Sequence, residues 1–194
     1  MLNKEDLFSL EQYSKVRGQF RADVIEHKKN RKVHLGEHIT MLFEDKKTIQ
    51  YQIQEMLRVE KIFEEDGILD ELSAYVPLIP DGSNWKATLL IEYSDEIERK
   101  AALGKLIGVE DKVWVQIEGF EKVFPIADED LERENSEKTS SVHFLRFELT
   151  AEMKNSLKEG SKLTMGVDHD NYTFNSVMPD QVRLSLLGDL IFQK

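Results

Sequence analysis

Glu60 is the first residue whose position asks for chemistry. On a helical wheel at ~100° per residue it falls between Ile49, Ile53 and Met56, inside the apolar stripe of a predicted helix over 49–63. A carboxylate there must be paired, hydrogen-bonded, metal-bound or protonated, because a bare buried charge is prohibitively costly. The structural reading is a salt bridge to an arginine, or a helix end that reaches solvent; the functional ones are a metal ligand and a general base. Gln52 lies at the edge of the same stripe and needs hydrogen-bond partners of its own.

His143 and His169 form a second constellation. Alternation along Val142-His-Phe-Leu-Arg-Phe-Glu-Leu149 puts His143 on the face of Leu145, Phe147 and Leu149, and the same parity aligns His169 with Leu163, Met165 and Val167. If these two strands are antiparallel neighbours, the imidazoles meet on one face. His143 and His169 with Glu60 or Asp168 would then suit a divalent transition metal. The structural alternative is two hydrogen-bonded core histidines.

His27-Lys-Lys-Asn-Arg-Lys32 is the dense basic cluster of the chain, and His27 and Arg31 continue the stripe of Phe20 and Val24. One reading is a cationic helix C-terminus complementing the macrodipole. The other is an anion pocket, or a buried pair with Glu60 or Glu44. His34-Leu-Gly-Glu-His38 matches an inverted-zincin pattern, but that chemistry needs both histidines on one helical face. Gly36 and the following strand separate them instead. Ile126-Ala-Asp-Glu-Asp-Leu-Glu-Arg-Glu134 reads as a solvated acidic face or a docking patch for a basic partner. Phosphate-binding loops, the dinucleotide fingerprint, the serine-hydrolase elbow and paired E-x-x-H motifs are all missing from the sequence.

The elements that must position these residues are helices over 10–32, 49–63, 68–75, 95–106 and 150–159, and a last helix from Pro179 to about 190. Strands are predicted at 39–44, 87–93, 141–149 and 163–167, with a β-hairpin over 113–126. Thr48 is a plausible N-cap for the second helix. The intermingling without strict alternation predicts an α+β fold: a single domain over 1–194, with a mixed, mostly antiparallel sheet packed by helices. Its first 80 residues or so are the more helical part and the remainder the sheet-rich part. The strands at 87–93, 141–149 and 163–167 carry enough apolar residues to form one core sheet, with helix 49–63 packed on it.

Composition narrows the function classes. Against 26 Lys and Arg stand 37 Asp and Glu, a net charge of −11, which disfavours nucleic-acid and anionic-membrane binding. The absence of cysteine removes disulfides, thiolate nucleophiles and cysteine-held zinc or iron–sulfur clusters. No apolar run approaches the ~18 residues of a membrane span, and the charged start MLNKEDLFSL is unlike a signal peptide. A cytoplasmic protein is expected.

Several stretches resemble an uncharacterised bacterial family, domain of unknown function 3501. They are Gln52-Ile-Gln-Glu-Met56 with Glu60, Pro77-Leu-Ile-Pro-Asp-Gly82, Ala87-Thr-Leu-Leu-Ile-Glu92, Ile126-Ala-Asp-Glu-Asp-Leu131, Lys138-Thr-Ser-Ser-Val-His-Phe-Leu-Arg-Phe-Glu148 and Gly166-Val-Asp-His169. The resemblance lends no catalytic residues. Its members are encoded near rubrerythrin-like and iron–sulfur oxidoreductase proteins, which implies an accessory part in redox or peroxide metabolism. Two functions are therefore expected as alternatives. One is a non-catalytic accessory or binding protein, a homodimer that docks on a redox partner. The other is a small metal- or anion-binding enzyme or sensor whose pocket gathers Glu60, His143, His169 and Arg31.

Overall fold

In the computed structural model, which describes residues 2–192, two antiparallel sheets face each other across one apolar core. The first sheet has five strands in the order β1-β2-β3-β6-β5, from β1 (Lys32–Leu35), β2 (Ile39–Phe43), β3 (Asn84–Ile91), β5 (Ile126–Ala127) and β6 (Val142–Glu148). The second has three, β4 (Val113–Ile117), β7 (Leu163–His169) and β8 (Tyr172–Val177). Every pairing is antiparallel.

The helices begin where the sequence supplies caps. Ser9 and Gln12 form a reciprocal capping box for α1 (Leu10–Lys28). Asp45, not Thr48, is the N-cap of α2 (Lys46–Glu60), with Thr48 returning the bond from its first turn. After α3 (Glu65–Tyr75) and α4 (Glu96–Lys105), Thr150 caps α5 (Ala151–Lys158), and α6 (Asp180–Leu187) starts after Pro179. None of the described helices is long and apolar enough to cross a membrane.

Alternation decides which side chains enter the core. Trp85, Ala87, Leu89 and Ile91 of β3 point inward, and β6 places Phe147 against Trp85, Leu145 against Ala87 and His143 against Leu89. Met165 and Val167 close the core from the second sheet.

Three expectations are corrected here. The strand at 163–167 does not share a sheet with 87–93 and 141–149, because α5 carries the chain across the core and β7 pairs with β4. The 113–126 stretch is no regular hairpin: one isolated bridge joins Val115 to Val123, and Ile126–Ala127 crosses to pair with β6. The apolar face of helix 49–63, expected to pack on that core sheet, joins a separate cluster. Ile49, Ile53 and Leu57 build it with Leu2 and Leu72. The five-stranded sheet takes β1 and β2 from the first 80 residues.

Candidate functional site

His143 is the residue around which polar groups converge. Its side chain is fully buried on the inner face of β6. Nδ1 lies 2.6 Å from Oδ2 of Asp128, and a carboxylate can only accept, so Nδ1 carries the proton and donates. Nε2 then faces Thr139 Oγ1 at 3.0 Å, the carbonyl oxygen of Ser140 at 3.1 Å and Glu110 Oε2 at 3.8 Å.

Local backbone geometry aims these groups. Asp128 follows β5 directly and holds φ at 49°, the left-handed region that aspartate tolerates better than most residues. In that conformation its amide bonds the carbonyl of Phe144 while Oδ1 accepts the Phe144 amide at 2.9 Å. Arg133 approaches the same carboxylate at 3.3 Å and lies over the Phe144 ring at 4.6 Å. Glu110 sits on the 3-10 turn Val109–Lys112 and is buried. Burial pushes its carboxyl above the ordinary glutamate range, and the neighbouring carboxylate of Glu134 pushes the same way. Glu134 in turn accepts the Gly108 amide at 2.9 Å. Glu110, Asp128 and His143 each offer a ligand atom within 4.8 Å of the others.

The opposite face of β6 borders open space. A cavity of about 570 Å³ lies between the end of α3 with its following turn and the outer face of β3 and β6. Ala74, Tyr75, Pro77, Leu78 and Phe144 give it an apolar lining, and Lys86, Arg146, Glu129 and Asp130 supply charge. Arg146 grips Glu129 with two hydrogen bonds of 2.8 and 2.7 Å, and Asp130 pairs with Arg133. The hydrogen bond from Arg146 holds the Glu129 carboxyl below its ordinary range. One stretch, Asp128 to Asp130, thus serves both faces of the sheet.

The residues singled out in the sequence are not gathered with His143. Glu60 is exposed, contrary to its place in the stripe, because α2 ends with it and Lys61 turns left-handed at φ 57°. Gln52 is exposed too; the buried amide is Gln54, which binds the Phe8 backbone at both ends. His169 is buried, but its Nε2 meets the carbonyl of Ile107 at 3.1 Å while Nδ1 accepts the Asn171 amide at 3.1 Å. These bonds make it the neutral Nε2–H tautomer that closes a turn. Asp168 points to the surface and pairs with Lys122 at 2.6 Å, which lowers its carboxyl from the ordinary range.

Arg31 and His27 belong to an internal ion cluster that receives the chain's own carboxylates rather than an external anion. Arg31 is buried, bonds Asp189 at 2.5 Å and the carbonyls of Phe43 and Glu44, and lies 3.5 Å from Asp45. His27 reaches Asp45 at 2.5 Å. Burial works to raise the Asp45 carboxyl, yet Arg31, the Thr48 amide and His27 together carry it below the ordinary range. At Asp189 burial prevails and the carboxyl is raised. Arg31 takes the backbone of Glu44, whose carboxylate accepts Thr48 and Thr88.

Sequence reasoning missed Glu110, Asp128, Thr139 and Glu134. Asp128 and Glu134 were hidden in a run that reads as a solvated acidic face, and Glu110 carries no periodic signal. The one available hint was a fully inward histidine on β6, which requires partners from somewhere.

Comparison with known proteins bears on the whole chain. A family profile described as "Protein of unknown function (DUF3501)" matches residues 1–190. A crystal structure of a protein of unknown function from Burkholderia pseudomallei is similar at 54% identity, covering 98% of this chain and 99% of that one, with a TM-score of 0.93. Among curated proteins, none matches this chain.

Proposed function

Since the chain belongs to the DUF3501 family, whose description assigns no activity, we propose from its own residues that it is a non-catalytic binding protein. Its binding site is the cavity between α3 and the outer face of β6, and its ligand is an apolar body, either a small molecule or side chains of a partner. One observation carries the reading: the groups with catalytic chemistry and the groups with access to solvent lie on opposite faces of β6. Imidazole, carboxylate and hydroxyl meet at His143, which is 0% exposed and so out of reach of a substrate from solvent. The accessible side offers apolar walls and ion pairs that satisfy each other, and its volume falls within the ~300–1,000 Å³ usual for ligand sites.

An accessory role beside redox or peroxide chemistry, through docking on a redox protein, extends this proposal. The resemblance of the sequence supports it, as does a net charge of −11 suited to a basic partner surface. Residence in the cytoplasm fits the cysteine-free composition. A homodimer is part of the same proposal, motivated by exposed apolar side chains such as Phe63 and Ile97.

The test uses anilinonaphthalene sulfonate, a fluorescent probe with an apolar body. Ala74→Trp on exposed α3 should fill the cavity and abolish the fluorescence gain, while Ala101→Trp on α4 should leave it intact. Equal probe binding by wild type and Ala74→Trp would reject the cavity as the site.

A further inference from the structure

We infer that the inner face of β6 is a divalent transition-metal site, with His143 Nε2 and Glu110 Oε2 as its anchoring ligands. Thr139 Oγ1 and the Ser140 carbonyl are the neutral oxygen donors beside them. Asp128 acts behind the histidine as the carboxylate that fixes its tautomer.

The spacing of the donors is the first argument. Thr139 Oγ1 and Ser140 O stand 3.0 and 3.1 Å from His143 Nε2, and Glu110 Oε2 stands 3.8 Å from it and 3.5 Å from Thr139 Oγ1. Donors bound to one ion at ~2.0–2.2 Å lie roughly 3 to 4 Å apart at angles between octahedral and somewhat wider than tetrahedral. The 3.8 Å separation is too long for a hydrogen bond, so the imidazole and the Glu110 carboxylate face each other without bonding directly.

The role of Asp128 is the second. At 2.6 Å from Nδ1 it is too close to share an ion with that nitrogen. It occupies the place of the outer carboxylate in a carboxylate–histidine–metal arrangement, which turns the ring and leaves Nε2 as the lone-pair donor. Asp128 is itself fixed by the Phe144 amide and by Arg133.

Charge is the third. Glu110, Asp128 and Glu134 bring three carboxyls to a mostly buried place. The cationic side chain set against them is Arg133, which is shared with Asp130; His143, donating from Nδ1 and holding a lone pair on Nε2, brings no charge. A divalent ion balances that surplus, where a bare buried carboxylate would be costly. One imidazole nitrogen with several oxygens suits a first-row ion that accepts oxygen donors, either borderline Zn²⁺ or the harder Mn²⁺. The centre is closed to bulky molecules, so the ion would enter as the 128–141 loop folds over it, coupling metal binding to folding. The inference stands apart from the cavity on the outer face and does not depend on a ligand there.

The experiment uses the full chain without a histidine tag, stripped with a chelator and then dialysed against Zn²⁺ or Mn²⁺. Metal content and thermal midpoint are measured for wild type and variants. Wild type and His169→Ala should retain one ion per chain and gain in midpoint. Glu110→Gln should lose both effects, and Asp128→Asn should bind about 10- to 100-fold more weakly, as expected when an outer-shell carboxylate is removed. His143→Ala should lose the ion as well; if it fails to fold, the two carboxylate variants decide. Retention by Glu110→Gln equal to wild type, or no retention by wild type, would overturn the assignment.

Discussion

Asp128 stands just past the end of β5 and His143 on the neighbouring β6, and a 2.6 Å hydrogen bond joins Oδ2 to Nδ1 while the other carboxylate oxygen holds the amide of Phe144. One side chain therefore fixes both a buried imidazole and the backbone of the residue that lines the cavity on the far side. Asp128→Ala should cost about 1–3 kcal/mol, the usual penalty for buried polar groups left without partners. Hydrogen exchange at the Phe144 amide should quicken relative to that of Trp85. Unchanged exchange at Phe144 would detach Asp128 from the strand.

Arg31 contributes to stability rather than to ligand capture. Replacing it with Met leaves the half-buried Asp189 and Asp45 without their guanidinium and should destabilise the fold by ~3–5 kcal/mol in chemical denaturation. Added phosphate or carboxylate should not stabilise the wild type, because the chain's own acids already occupy the cation.

Glu55 governs part of the acid sensitivity. Its carboxylate accepts two bonds from Arg17 and one from Tyr13, tying α1 to α2. The Arg17 hydrogen bond, outweighing burial, takes its carboxyl from the ordinary 4.5 down to about 2. A folded-state value below the unfolded one stabilises fully above the ordinary value, and that contribution is lost as pH falls towards the folded value. Glu55→Gln should lower stability at neutral pH and flatten the loss between about pH 4.5 and 2. An unchanged acid limb would remove Glu55 from that role.

Gly166 marks a tight crossing in the second sheet. A Cβ there would press on the Trp114 indole and stand 2.5 Å from the carbonyl oxygen of Phe174. Gly166→Ala should lower stability by about 1–3 kcal/mol through overpacking. Glu60→Gln, at an exposed helix end, should stay within roughly 0.5 kcal/mol of wild type.

What the sequence made legible was local. Alternation in 141–149 placed His143 on the inner face. Of the stripe Ile49, Ile53, Met56, Leu57 and Phe63, the residues Ile49, Ile53 and Leu57 did become the buried face of α2, while Met56 is half-buried and Phe63 lies exposed beyond the helix end. The same wheel misplaced Glu60, because an angle says nothing about how far the opposing surface extends, and Lys61 ends the helix there. The partners of His143 could not be read, since Glu110, Asp128 and Thr139 reach it through turns and long-range pairing. Adjacency of the strands bearing His143 and His169 failed for the same reason: register between segments on either side of a helix is a tertiary property. β8 escaped notice as an edge strand whose residues alternate half-buried and exposed, without an apolar run.

The cavity beside β6 is the centre of the functional account, and amide chemical shifts during titration with anilinonaphthalene sulfonate test it most directly. Shifts concentrated at Ser73, Ala74, Tyr75, Leu78, Lys86, Glu129, Asp130 and Phe144–Arg146 are expected. Shifts centred instead on the cleft of His38, Tyr93 and Lys105, or scattered without saturation, would contradict it.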